Sequence, residues 1–154
     1  MSKRNAFLRG FVYAARGIAR CVRDERNFRF HIVAAVYVCA FAPAFLQSRA
    51  EWAVLALTIG LVLCTETVNT ALERLCDRVS SEHHPLVGAA KDMAAGAVLL
   101  TAIAAVAVAV LLFGKIEAWK ALFAAWQQQL WKPIVLVLSA IPSVLFVVKK
   151  GRLS

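Results

Sequence analysis

Apolar residues along the chain fall into long runs separated by short polar connections. The first run, residues 30–46, is short for a membrane span and contains Pro43. A tight polar connection at 47–51 leads to a second run from Trp52 to about Ala71. Residues 75–91 read as a polar loop with breaks at Ser80-Ser81 and His84-Pro85. The third run, 93–113, has 21 residues and no charge, close to the roughly 20 residues a helix needs to cross a bilayer core. Beyond it, Trp119, Leu122, Phe123, Trp126 and Leu130 recur at helical spacing and predict an aromatic-rich interfacial helix. Residues 134–148 form a fourth apolar run of only 15 residues, interrupted by Pro142. That run predicts either a short span or a re-entrant segment.

The N-terminal part has a different period. At about 100° per residue, Phe7, Phe11, Ile18 and Val22 share one arc of roughly 60°. Arg9, Arg16, Arg20 and Arg23 share an arc on the opposite side. Such a helix lies on a membrane surface with its cations toward anionic headgroups and water. The expected fold is therefore an all-α integral membrane protein with an N-terminal amphipathic surface helix (1–29). A three-span core (30–113) follows, and then an interfacial helix with an extra C-terminal apolar segment (114–154).

Composition agrees with this reading. Apolar residues make up 61% of 154 and mean hydropathy is +0.69, above the roughly 45–50% apolar share of soluble domains. A net charge of +9 could point to nucleic acid, but the basic residues flank apolar runs and no nucleic-acid module is visible, so no such partner is expected. With four spans and both ends inside, 14 Lys/Arg are cytoplasmic and 4 external, the asymmetry that sets orientation. Cys21, Cys39, Cys64 and Cys76 are widely spaced and predict neither a disulfide framework nor a zinc site. The first 29 residues lack the apolar stretch of a cleavable signal, so the spans themselves are expected to direct insertion.

The informative chemistry lies in ETVNTALERLCD, residues 66–77. Offsets of 3, 7 and 11 from Glu66 put Asn69, Glu73 and Asp77 on one helical face. Three carboxylates on one face repel one another, and an acid at bilayer depth costs about 2.5–3.5 kcal/mol on insertion scales. A bound divalent cation together with Lys91 would relieve both costs. Counted from Trp52, Glu66 lies about 21 Å along the helix and Glu73 about 31 Å. Glu66 is then buried near the cytoplasmic leaflet and Glu73 sits at its edge, for a core of about 30 Å. A base at the first depth can meet a lipid hydroxyl, and a metal–phosphate site at the second can meet a nucleotide. No GxxxxGK[ST] loop or soluble-kinase signature is present. His83 and His84 face different ways on a helix and read as loop polarity or nucleotide contacts. His31 reads as an interfacial polar residue, and Arg74 and Arg78 as surface partners of nearby acids or anionic lipid.

The motifs E-x-x-N-T-A-x-E-x-x-x-D (66–77), SSEHH (80–84) and KDMAAGAV (91–98) resemble the prokaryotic diacylglycerol kinase and undecaprenol kinase family. The upstream YAARGI and ERNFRFH segments resemble it too, and ERNFRFH together with HHPL looks closer to the undecaprenol kinase branch. The resemblance covers about residues 5–113, and the last 40 residues depart from the family's three-span pattern. It implies an ATP- and Mg²⁺-dependent lipid kinase of the bacterial inner (cytoplasmic) membrane, multi-pass, with its active site facing the cytoplasm. Undecaprenol is the expected acceptor and diacylglycerol the alternative. By the same resemblance Glu66 is the general base and Asn69 orients the reacting groups. Glu25 and Glu73 hold magnesium, while Tyr13, Asp77, Glu82, His84, Lys91 and Asp92 contact nucleotide. The family's homotrimer, with sites between subunits, is expected as well.

A non-enzymatic rival, a membrane scaffold or ion-path subunit, would also use intramembrane acids. An ion path needs polar residues along a whole span, yet from Trp52 to Leu63 only Thr58 is polar. Confinement of the acids to one end favours the kinase.

Overall fold

A computed structural model describes residues 3–79 and 84–149, with side chains from residue 7 onward. Six helices follow one another: α1 (Lys3–Asp24), α2 (Arg26–Phe45), α3 (Arg49–Val79), α4 (Pro85–Phe113), α5 (Ile116–Gln128) and α6 (Trp131–Val148). Four of them, α2, α3, α4 and α6, are long and apolar enough to cross a membrane. Among the described residues there is no strand.

The helices begin and end where local chemistry directs. α1 stops at Asp24, and Glu25 alone is extended (φ −101°, ψ 118°) before α2 starts. The amphipathic helix is thus shorter than expected, and the first span starts at Arg26 instead of Phe30. The α2–α3 turn is fixed by Ser48 and Glu51. The Glu51 amide donates to Ser48 Oγ at 3.1 Å, and the Ser48 amide donates to Glu51 Oε2 at 2.9 Å, a reciprocal capping box. Lys115 Nζ then reaches Glu51 Oε1 at 2.6 Å and ties the start of α5 to this corner.

α3 continues to Val79, so the expected polar loop at 75–91 is mostly helix. Its strong helix formers, Ala71 to Leu75, have no breaker before Ser80, and Arg78 complements the dipole at the last turn. α4 opens at Pro85, a residue suited to a first helical position because it lacks the N–H that would go unpaired there. The fourth apolar run forms a helix of 18 residues, α6, longer than the 15 apolar positions because Trp131 to Pro133 supply its first turn.

α3 and α4 pack along each other as the main pair, with α2 against both. At the end away from α1, Ala42, Phe45, Leu46, Leu55 and Leu112 form a buried cluster. α5 folds over it: Trp119 stacks edge-on to Phe45 at 4.7 Å and donates its indole N–H to the Phe113 carbonyl at 2.8 Å. The aromatic residues read as interfacial anchors are thus largely packed on α2 and α4. α6 lies on α2, where the Tyr37 hydroxyl is within 2.8 Å of Ser139 Oγ and 3.1 Å of Ser143 Oγ. α1 crosses the opposite end of α2 and α3.

Candidate active site

Most of the buried polar groups gather at the α1 end. Glu66 is only 3% exposed, and Arg29 (3%) and Thr70 (7%) are buried with it. Glu66 and Thr70 share the face of α3 that the four-residue spacing puts inward. The Glu66 Oε1 oxygen is buried without a hydrogen-bond partner, and His31 Nε2, from α2, stands 3.7 Å away. One turn on, Asn69 Nδ2 donates to Glu73 Oε1 at 2.9 Å. Asn69 Oδ1 is buried and unpartnered. The charges of Glu73, two turns further along α3, and of Glu25, at the break before α2, both act on Glu66.

Glu25 enters this group because it occupies the break between α1 and α2. Arg74 Nη2, from α3, donates to Glu25 Oε1 at 2.9 Å and to Asp24 Oδ2 at 3.2 Å. Arg23 Nε also pairs with Asp24, at 2.7 Å. The Arg23 guanidinium, with Arg74 adding to it, holds the Asp24 carboxyl down at about 2. Behind the corner, burial pushes the Cys21 thiol above its ordinary value. Toward the end of α3, Lys91 Nζ of α4 meets Asp77 Oδ1 at 2.7 Å, at the solvent-accessible rim.

The sequence-derived residues therefore divide. Asn69 and Glu73 are hydrogen-bonded on the helix that carries the buried Glu66, Glu25 is held beside that helix by Arg74, and Asp77 pairs with Lys91. Tyr13 is exposed on α1 with the Arg16 guanidinium 6.0 Å over its ring. His84 precedes α4 and is exposed, as is Asp92. Among the described residues, Tyr13, His84 and Asp92 make no hydrogen bond or ion pair to the carboxylate group. Glu82 lies outside the described residues. His31, read as an interfacial polar residue, stands beside Glu66, and Arg29 bonds the ends of α1 and α6; in both cases the partner belongs to another helix. Arg74 pairs with nearby acids as expected, and those acids, Asp24 and Glu25, lie at the α1–α2 break.

Among the described residues no group of three or more His, Cys, Asp or Glu forms a cage for a metal ion. Magnesium at nucleotide sites takes one or two carboxylates and completes its shell with phosphate oxygens and water. Glu25 and Glu73 are carboxylates of that kind, and the buried Glu66 Oε1 and Asn69 Oδ1 lack hydrogen-bond partners. The residues fit a metal that arrives with a nucleotide. His31, beside Glu66, also lines an apolar cavity of about 120 Å³, together with Ala35, Thr58, Val62 and Ala105 among others. Thr58, which lines it with His31, spends its hydroxyl on the Val54 carbonyl at 2.8 Å.

Comparison with known proteins bears on this arrangement. The family model for prokaryotic diacylglycerol kinase matches residues 12–113, which include α2 to α4 and the described carboxylates. An undecaprenol kinase of Bacillus subtilis (strain 168) is 43% identical over 111 residues, covering 71% of this chain and 89% of the relative. A diacylglycerol kinase of Synechocystis sp. is 46% identical over 99 residues, 64% of this chain and 57% of the relative. The diacylglycerol kinase of Escherichia coli (strain K12) is 36% identical over 94 residues, 61% and 77%. α5 and α6 lie beyond the matched segment. The chain belongs to the prokaryotic diacylglycerol kinase family of membrane lipid kinases.

Proposed function

We propose that this kinase transfers the γ-phosphoryl group of ATP to the terminal hydroxyl of undecaprenol at the cytoplasmic face of a bacterial inner membrane. The observation that carries the reading is the buried, unpartnered Glu66 carboxylate at the membrane-facing end of a polar helix face. Phosphoryl transfer needs positioning and charge neutralisation more than covalent chemistry. Glu66 takes the proton of the lipid hydroxyl as the hydroxyl oxygen attacks the γ-phosphorus and the bond to the bridging oxygen breaks to release ADP, and the apolar cavity beside His31 receives the first part of the lipid chain. Asn69, tied to Glu73, keeps its free carbonyl oxygen toward the reacting groups. Glu25 and Glu73 would hold a magnesium ion, which would supply charge neutralisation at the phosphate oxygens. Lys91 leaves Asp77 for the nucleotide phosphates, which is easy because the pair is exposed and screened by solvent. Tyr13, Asp77, Glu82, His84 and Asp92 line the nucleotide side, and the working unit is a homotrimer with sites between subunits.

Undecaprenol is favoured over diacylglycerol by the ERNFRFH and HHPL segments and by the long match to the Bacillus subtilis undecaprenol kinase. The test is ATP-dependent phosphorylation in detergent–lipid micelles with Mg²⁺, offering each lipid at equal mole fraction. Faster phosphorylation of undecaprenol is expected. Preference for diacylglycerol would overturn the acceptor assignment, and no transfer to either lipid by folded protein would overturn the activity.

A further inference from the structure

We infer that the C-terminal span α6 acts, through Arg29, as a clamp that fixes the α1–α2 corner and so positions Glu25 in the active site. The inference rests on the assignment of Glu25 to the metal.

Arg29 is 3% exposed, and the hydrogen bonds of its guanidinium all go to main-chain carbonyls at two helix ends. Nη1 donates to the carbonyls of Val22 and Arg23 at 3.3 and 2.9 Å. Nε and Nη2 donate to the Val147 carbonyl at 3.3 and 3.2 Å, and Nη2 also donates to the Lys149 carbonyl. One side chain thus satisfies terminal carbonyls of both α1 and α6, groups that otherwise lack partners within their helices. Its charge sits where two helix dipoles are negative. Only a planar fork with five donors can do this, and a lysine ammonium cannot span both ends at once.

The corner that Arg29 holds contains one non-helical residue, and that residue is Glu25. Any slack between the end of α1 and the start of α2 therefore appears directly in the position of the Glu25 carboxylate. On the other side, α6 is attached to α2 independently, by the Tyr37, Ser139 and Ser143 hydroxyls, about two helical turns along from Arg29. Those hydroxyls seat α6 in register, and the register brings the Val147 and Lys149 carbonyls to Arg29. α6 lies outside the segment shared with the family model, so the clamp belongs to this chain's extension and Arg29 is a positioning residue.

The test uses the full-length protein with three variants: Arg29→Lys, the combined Tyr37→Phe/Ser139→Ala/Ser143→Ala, and Glu25→Gln. Two quantities are read, the Mg²⁺ concentration for half-maximal rate and backbone amide exchange in residues 20–29. Arg29→Lys is expected to raise the Mg²⁺ requirement about tenfold, as loss of an outer-shell partner does. The triple variant, which touches no site residue, is expected to raise it about threefold, within the range of remote coupling. Both should speed exchange at the corner and leave the lipid KM unchanged. If Arg29→Lys does not fold, the triple variant decides alone. A triple variant with native exchange and native Mg²⁺ requirement overturns the role of α6. Faster exchange with an unchanged Mg²⁺ requirement also overturns the inference, and Glu25→Gln then locates the fault. If that variant raises the requirement, the clamp is wrong; if it too has no effect, the metal assignment of Glu25 is wrong.

Discussion

Replacing Glu66 by glutamine isolates the proposed base from everything else in the site. The two side chains have the same shape, so the pocket between α2 and α3 keeps its packing, and what is lost is the charge and the ability to take a proton. General acid–base catalysis contributes about 10²–10⁴ in rate, equal to about 2.7–5.4 kcal/mol at about 1.36 kcal/mol per tenfold. The expected loss is in kcat, with KM for ATP changed little, because Lys91 and the carboxylates of Glu25 and Glu73 remain.

Stability should move the other way. Glu66 and Glu73 are seven residues apart, about 10.5 Å along α3. At an effective dielectric of about 20, their repulsion is about 1.6 kcal/mol, and Glu25 adds to it. Removing a buried charge that has no hydrogen-bond partner at Oε1 also removes a desolvation cost. Without magnesium, Glu66→Gln should therefore melt at the native temperature or above it. The assay pairs steady-state phosphorylation in micelles with thermal unfolding in the same detergent. A variant that keeps more than about a tenth of native kcat would refute the role of base. One that loses activity together with its fold would refute the description of Glu66 as a buried acid whose Oε1 lacks a hydrogen-bond partner.

Other perturbations separate the remaining parts. Lys91→Met removes a cation from the nucleotide phosphates and should lower kcat by about 10²–10³, with KM for ATP rising and KM for lipid unchanged in initial-rate measurements. Asp24 has its carboxyl held at about 2, below the ordinary 3.8, first by Arg23 and then by Arg74. Its contribution to joining α1 and α3 is complete above pH about 4 and is lost as pH falls through about 2, so an isotope-edited infrared titration should find this carboxylate ionised at pH 3. Trp119→Ala empties the aromatic cluster and leaves the Phe113 carbonyl without its indole donor. It should destabilise by about 2–3 kcal/mol, below the about 3–5 of a fully buried aromatic, as measured by unfolding, with kcat preserved once the protein is folded.

The sequence reveals some of this architecture and conceals the rest for identifiable reasons. Apolar run length marks the spans because a bilayer imposes a minimum length on a helix, and 93–113 meets it unaided. The 66/69/73/77 face is readable because all its members lie on one helix, where the period fixes their mutual angle. Glu25 and Arg74 are 49 residues apart, and no local rule pairs them. The same is true of Arg29 with the end of α6, 118 residues on, and of His31 with Glu66. The ends of α3 are a different matter. Ser48 and Glu51 already spell a capping box, which a reading of 47–51 as a polar connection passes over. The absence of breakers through Val79 likewise argues for helix where charge density argues for loop.

The distribution of buried groups explains why such a site can exist in so small a chain. At one end Ala42, Phe45, Leu46, Leu55 and Leu112 form an apolar buried cluster with an aromatic cover from α5. The other end holds two buried acceptor oxygens, on Glu66 and Asn69, without partners. Each such group costs about 1–3 kcal/mol and is useful only when a substrate hydroxyl, a cation or a phosphate arrives. Leu55 and Glu66 are eleven residues apart on α3, about 16 Å, beyond the roughly 7–10 Å within which substitutions couple. Stability can thus be supplied at the aromatic end without constraining the acids. Trp119→Ala and Glu66→Gln therefore act on separate quantities, the first on folding and the second on the chemical step.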